Sequence, residues 1–398
     1  MKHSSIFIFL SIVLLLYGLI NYYILRRTGQ ALAGLGIART IILWLLFLLV
    51  LSYPLGRTLE RFFQNGYTQF LVIAGSFYLG IGFYAFFAAL LVDIVRLGNR
   101  LVHFFPSVIV NNPTTSSFFA WVACAVFVLC MTFFGYRNAT HPRLRQYDLT
   151  IQKKAGGLKE LTVVAVSDLH LGTVLGRAQL NRVAAMVNDC RPDIVLLAGD
   201  VFDEDVFESV EQDISRTLRE LRPPFGVFAV TGNHEYYCGV EKAVSYLQKG
   251  NVTVLQDSAV RIKGAFYLAG RKDKTAERLA SGRKGLTDIL ASVDKSLPVI
   301  LMDHQPFHLE EAQQNGVDLQ VSGHTHHGQL FPLNLMYGLI YEKDWGYVKK
   351  GATHVVVSCG AGTWGPPLRT NSPSEVMLLK LKFIEPSPLN PPSGDLGG

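Results

Sequence analysis

The chain has 398 residues and a net charge of +6, with 49% hydrophobic and 17% charged residues. That is too apolar for a disordered chain and long enough for two or three folded units. The five cysteines, Cys124, Cys130, Cys190, Cys238 and Cys359, form no CxxC pair, which excludes a disulfide scaffold and a zinc-finger pattern.

The apolar excess lies before residue 136. Four runs there, roughly 5–25, 38–56, 69–92 and 116–135, approach the ~20 residues that cross about 30 Å of hydrocarbon. Residues 1–136 therefore read as a transmembrane region of about four helices. A cleaved signal peptide does not fit, because the first run has a long core and no small-x-small cleavage site. An even number of spans puts both termini on one side. With the N-terminus inside, Lys2, Arg57, Arg61, Arg137, Arg143, Arg145, Lys153 and Lys154 lie inside, against Arg26, Arg27, Arg39, Arg96 and Arg100 outside. That excess predicts a multi-pass integral membrane protein with a cytoplasmic C-terminal domain. Asp93 is expected at the interface beside Arg96. Spans without buried charge predict an anchor rather than a transporter.

Residues 137–160 read as a basic connector carrying one strand near 147–152. Residues 161–384 look like an ordinary globular domain. Its first buried strand is 161–166 (LTVVAV), followed by a helix at 177–188 and a second strand at 193–197. A helix over 206–221, a strand at 226–230 and a helix at 240–249 come next. Short strands at 253–256, 260–262 and 266–270 precede a helix at 285–292. Strands at 298–302, 319–321, 355–357 and 375–382 complete the pattern. The tail 385–398 is rich in Pro, Gly and Ser and is predicted to be disordered. No basic stripe with interleaved aromatics is visible, so nucleic acid is not an expected partner.

The buried strands from 161 to 321 end in polar clusters: SDLH, AGD, TGNHE, DHQP and SGHTHH. In α/β sheets, ligands bind outside the carboxyl ends of the strands. The clusters collect Asp168, His170, Asp200, Asn233, His234, His304, His324 and His326. Imidazoles with carboxylate and amide oxygens suit manganese, iron or zinc. Eight such residues exceed what one tetrahedral ion needs and fit two divalent ions sharing a bridging carboxylate. Asp200 is the expected bridge. In extended backbone, residues i and i+2 point the same way, so Asp168 with His170, and His324 with His326, are expected on one face. His327 then points elsewhere.

The blocks DLH, GDVFD, GNHE, DHQP and GHTH, in this order, resemble the calcineurin-like metallophosphoesterase superfamily over about 160–380. GHTHHGQ and SCGAGTWGPPLRTNSPSEV are similar to a membrane-anchored, bacterial-type subgroup. The resemblance implies an α/β (α+β) two-sheet sandwich with flanking helices, here preceded by the four-helix transmembrane region. It implies one metal on Asp168, His170, Asp200 and His326, and a second on Asp200, Asn233, His304 and His324. His234 would contact the phosphoryl group and protonate the leaving oxygen, and Asp203 would hold that histidine or shape its loop. An acidic residue before a helix is also a common cap, which is the alternative for Asp203.

His327 departs from the subgroup, where glycine is frequent; substrate contact and a supporting role are both open. Arg369 is a candidate phosphate contact, with a surface salt bridge as the alternative. His308 follows His304 by four residues, but Pro306 between them argues against a helical metal pair. Tyr236 and Tyr237 either line the cleft or pack.

The expected function is a membrane-anchored, dinuclear-metal-dependent phosphohydrolase. It would cleave a phosphoester or phosphoanhydride bond with a metal-bound hydroxide. Expected partners are the membrane and a phosphorylated small molecule or lipid-linked substrate; some relatives cleave a UDP-linked acylated sugar. The alternatives are a nucleotide or cyclic-nucleotide phosphodiesterase, and a metal-binding sensor or scaffold without turnover.

Overall fold

The computed structural model describes residues 3–63, 65–203, 208–279 and 282–385. The disordered tail expected from 385 onward falls, past that residue, outside the described set. Two compact units emerge: residues 1–136 with 365–368, and residues 137–364 with 369–398.

The first unit contains helices α1 (His3–Ala31), α2 (Ile37–Glu60), α3 (Gly66–Val102), the short α4 (Ser107–Asn111) and α5 (Pro113–Thr140). Among the described residues, four helices are long and apolar enough to cross a membrane. They outrun the predicted spans, because hydropathy marks only the apolar stretch while backbone hydrogen bonding continues past it. α3 is 37 residues long and starts at an Asn65 side chain that accepts the Tyr67 and Thr68 amides. Its last turns carry Asp93, which pairs with Arg27 on α1 and accepts the Tyr23 hydroxyl at 2.6 Å. Arg96, one turn further along, donates to Ser117 Oγ at 3.0 Å. Gly56 and Gly75 bring α2 and α3 together. A Cβ at Gly75 would overlap the backbone of Tyr53, and one at Gly56 the backbone of Val72.

The second unit opens with β1 (Arg143–Ile151), β2 (Glu160–Val166), α6 (Arg177–Asp189), β3 (Ile194–Ala198), α7 (Glu208–Arg219) and β4 (Val227–Val230). It continues with α8 (Asn233–Cys238), α9 (Val240–Lys249), β5 (Val252–Val254), β6 (Ser258–Ile262), β7 (Phe266–Gly270), α10 (Leu286–Ile289) and β8 (Val299–Met302). The last elements are α11 (Leu309–Gln314), β9 (Leu319–Ser322), α12 (Asn334–Ile340), β10 (Gly346–Lys350), β11 (Thr353–Val357) and β12 (Glu375–Phe383). α7 was expected from 206, but that start lies outside the described residues. α8, α11, α12 and β10 were not anticipated.

The strands form two mixed six-stranded sheets, ordered β1-β12-β2-β3-β4-β5 and β10-β11-β9-β8-β7-β6. Along β2, Val163 and Ala165 join the core between the sheets, with Phe266, Ile300, Met302 and Val321 across from them. Val164 and Val166 face the other way, against Leu180 and Val183 of α6. This two-residue alternation, apolar on both faces, is why β2 reads as an unbroken hydrophobic run. The result is a two-sheet sandwich with flanking helices. Strands β2, β3 and β4 run parallel, as do β7, β8 and β9.

Candidate metal centre

The polar residues sit at one offset from the strands. Asp168 is two residues past β2, Asp200 two past β3, His304 two past β8 and His324 two past β9. Asn233 opens α8, just beyond β4. Parallel strands bring their carboxyl ends to one edge, so both sheets deliver ligands there.

Two groups form. In the first, His326 Nε2 lies 3.4 Å from Asp168 Oδ1 and 2.9 Å from His170 Nε2. The second holds Asp200, His304 and His324. Asp200 Oδ2 is 3.1 Å from His304 Nε2 and 3.8 Å from His170 Nε2, so one carboxylate oxygen faces both groups. Its other oxygen accepts the His234 amide at 2.9 Å. Both oxygens of Asp168 accept the His324 amide at 3.0 Å.

The backbone that aims these side chains is not extended. φ is +53° at Asp168, +46° at His170, +52° at Asp200, +73° at His324 and +49° at His326. Alternation along a strand therefore does not govern them. His324 and His326 diverge into different groups rather than sharing a face. Left-handed non-glycine residues are uncommon, and clusters of them mark functional sites. Glycines allow the close approach: a Cβ at Gly323 would overlap Ser167 and Asp168, and one at Gly232 would overlap Asp200.

The donor set suits cations. Asn233 Oδ1 is buried without a hydrogen-bond partner among the described residues. His304 Nδ1 donates to the Ala198 carbonyl at 2.8 Å, which turns Nε2 toward Asp200 and the site. Burial, then the neighbouring His304, pulls His324 down to about 4. Burial and the His170 and Arg369 charges push His326 well below its usual value. Both are thus neutral imidazoles at pH 7, the form that binds metal. Burial works against a charged His304, but the Asp200 carboxylate outweighs it and raises the imidazole. Asp200 in turn is held well below the usual carboxylate range: burial opposes this, and His304 and His170 prevail. Positive charge is what this pocket is built to receive.

Asp203 supports two histidines. Its Oδ1 accepts from His170 Nδ1 at 3.0 Å and lies 3.2 Å from His234 Nδ1, which also donates to the Asp203 carbonyl at 3.0 Å. Burial would lower His234, but the Asp203 hydrogen bond and the Asp200 charge raise it to about 9. Two exposed aromatics flank its ring, Tyr237 at 5.3 Å and Trp364 at 6.2 Å between centroids. A cleft of about 290 Å³ opens beside Asn233 and His324, with Tyr237, Lys274, Arg278 and Gln305 in its walls.

A profile of the calcineurin-like phosphoesterase family matches residues 161–328. A metallophosphoesterase of Aquifex aeolicus is 37% identical over 246 residues, covering 60% of this chain and 92% of the relative. The chain belongs to the calcineurin-like phosphoesterase family. A metallophosphoesterase of Helicobacter pylori is 35% identical over 248 residues, covering 62% of this chain and 65% of its own. A transmembrane protein with metallophosphoesterase domain from Danio rerio is 32% identical over 286 residues, 67% of this chain and 64% of that protein. The chain thus spans somewhat under two thirds of these last two relatives.

The two candidate substrate contacts, Arg369 and His327, engage other parts of the chain. Arg369 is fully buried and points inward. Its guanidinium donates to the carbonyls of Gly362 at 2.8 Å, Ser372 at 3.1 Å, His326 at 3.2 Å and Cys359. The loops after β11 and around His326 leave these carbonyls without sheet partners, and the five-donor fork satisfies them. It sets the position of His326 rather than facing substrate. His327 donates to Asp344 Oδ2 at 2.6 Å and packs its ring on Trp345, 4.8 Å away. That fits the supporting role left open for it.

Glu235 was missed. It is buried, and its carboxylate accepts four amides: Gly232 at 2.7 Å, Val201 at 2.8 Å, Asp200 at 3.0 Å and Phe202 at 3.1 Å. It ties the Asp200 loop to the start of α8. The available signal was its place three residues after Gly232, where glutamate closes a helix N-terminus.

Proposed function

We propose that this phosphoesterase is a membrane-anchored hydrolase of a phosphoester or phosphoanhydride bond, working with two divalent cations. The observation that carries this reading is Asp200 Oδ2, set between His304 and His170, with the orphaned Asn233 oxygen at the start of α8. One ion is assigned to Asp168, His170, Asp200 and His326, the other to Asp200, Asn233, His304 and His324. The mixed oxygen and imidazole set favours manganese, iron or zinc. Bound there, the ions would lower the pKa of a water and neutralise phosphoryl oxygens.

The chain's own groups account for the rest. Water oxygen bonds to phosphorus as the bond to the leaving oxygen breaks. With Nδ1 held by Asp203, His234 has Nε2 left to donate its proton to that oxygen. A value near 9 keeps it protonated at neutral pH. Tyr237 and Trp364 offer apolar surface to the leaving group. The four apolar helices would supply the anchor, and the excess of basic residues on the N-terminal side favours a cytoplasmic domain. There it would meet a phosphorylated small molecule or a lipid-linked substrate.

The test is metal content and turnover of the full-length protein in detergent, beside Asn233→Ala and His234→Ala. Two equivalents of metal are expected, with hydrolysis of bis-p-nitrophenyl phosphate in added Mn²⁺. His234→Ala should retain metal and lose turnover. A well-folded wild type that binds no metal after reconstitution refutes the reading.

A further inference from the structure

A cavity of about 500 Å³ lies among the membrane helices, walled by α1, α2, α3 and α5. One end is polar. There Arg27 pairs with Asp93, Arg96 donates to Ser117 at 3.0 Å, and Trp121 Nε1 donates to Thr28 Oγ1 at 3.4 Å. Arg27 Nε is buried with no acceptor among the described residues. The remainder of the wall is apolar and includes Leu46, Ile81, Ala85, Ala125, Val128 and Leu129.

Two physical arguments define the occupant. Two guanidinium groups face one carboxylate, so the polar end keeps one net positive charge in a setting where unpaired charge is costly. From Ile81 to Arg96, α3 rises roughly 22 Å at about 1.5 Å per residue. That exceeds the ~15 Å hydrocarbon depth of one leaflet, half of a core of about 30 Å, and is enough for an acyl chain. The alanines leave the space that a chain would fill.

We infer that this cavity binds an anionic glycerophospholipid, with its phosphate at Arg27 and Arg96 and one acyl chain along α3 and α5. A zwitterionic lipid carries its own cation and leaves the site's charge uncompensated. The polar end lies at the C-terminal ends of α1 and α3 and the N-terminal end of α5. The inference is independent of the hydrolase reading, since it rests on the membrane helices alone.

The test uses the full-length protein in phosphatidylcholine nanodiscs doped with a doxyl-labelled lipid. Trp121 lines the cavity, so its emission is taken as the difference between wild type and Trp121→Phe. Doxyl-phosphatidylglycerol should half-quench it at a mole fraction about fivefold below doxyl-phosphatidylcholine, the effect of one cation near the surface. Arg96→Gln leaves the Arg27–Asp93 pair intact, cancels the net charge and should abolish the preference. Asp93→Asn should enlarge it. Equal quenching by both lipids in the wild type overturns the inference, and so does an unchanged preference in Arg96→Gln.

Discussion

Asp200 Oδ2 and His304 Nε2 stand 3.1 Å apart although they come from different sheets, one after β3 and the other after β8. Each is held by a neighbour: the His234 amide fixes the other Asp200 oxygen, and the Ala198 carbonyl fixes His304 Nδ1. The contact therefore joins the sandwich halves at the one point where both proposed metal positions meet. Asp200→Asn keeps the shape but removes the charge. Metal content should fall below one equivalent, with turnover lowered by ~100-fold or more, because bridging ligands exceed the 10–100-fold effect of their supports. Added Mn²⁺ should raise the melting temperature of the wild type and not of the variant. Full metal loading of Asp200→Asn would remove the bridge from the reading.

Asp203 raises His234, and this predicts a pH profile. Activity that needs protonated His234 is present below about 9 and declines as pH rises through that value. Asp203→Asn removes the hydrogen bond that raises it, so the alkaline limb should move to lower pH. Turnover at neutral pH should fall roughly 10–100-fold, since His170 also loses its support. An unshifted limb would assign it to another group.

Glu235→Gln tests the tie between the Asp200 loop and α8. A carboxylate accepting four amides is replaced by a group with one accepting oxygen. Burial, then the Asp200 charge, raises the Glu235 carboxyl, so the native state already bears a cost that these amides offset. Loss of about 2 kcal/mol is expected from the charge-assisted bonds. For a domain of this size that lowers the melting temperature by roughly 4–8 °C, read by differential scanning fluorimetry.

Lys274 and Arg278 sit in the cleft beside Asn233 and His324. Their segment is closed at its base by two carboxylates. Asp257 accepts the Lys272 and Lys284 amides at 2.9 Å, and Asp303 pairs with Arg271 at 3.0 Å and Arg283 at 2.6 Å. The two cations would then face an anionic part of the substrate. Lys274→Ala with Arg278→Ala should raise KM about tenfold for a substrate with a second negative group and leave kcat intact. A loss confined to kcat would place both residues elsewhere in the mechanism.

The four long apolar helices and the strands behind the site were legible in the chain because their signals are local. A run of ~20 apolar residues answers to the bilayer, and a β-branched run that ends in Asp, Asn or His marks a buried strand opening onto a rim. The helix α12 and the strand β10 were not legible. α12 has no buried residue, and β10 alternates half-buried with exposed positions, so neither presents a fully buried face.

The residue types, their order and their place at strand ends were thus properties of the amino-acid sequence. The division of the histidines was not. His324 and His326 part because positive φ turns each one separately, and packing against Ser167 and Asp168 imposes those turns through Gly323. Arg369 turns inward because three carbonyls of its own segment, those of Cys359, Gly362 and Ser372, meet the carbonyl of the remote His326 around it. Backbone angles and unpaired carbonyls become fixed only when the two sheets close on each other, so the direction of these side chains was decided by the tertiary structure.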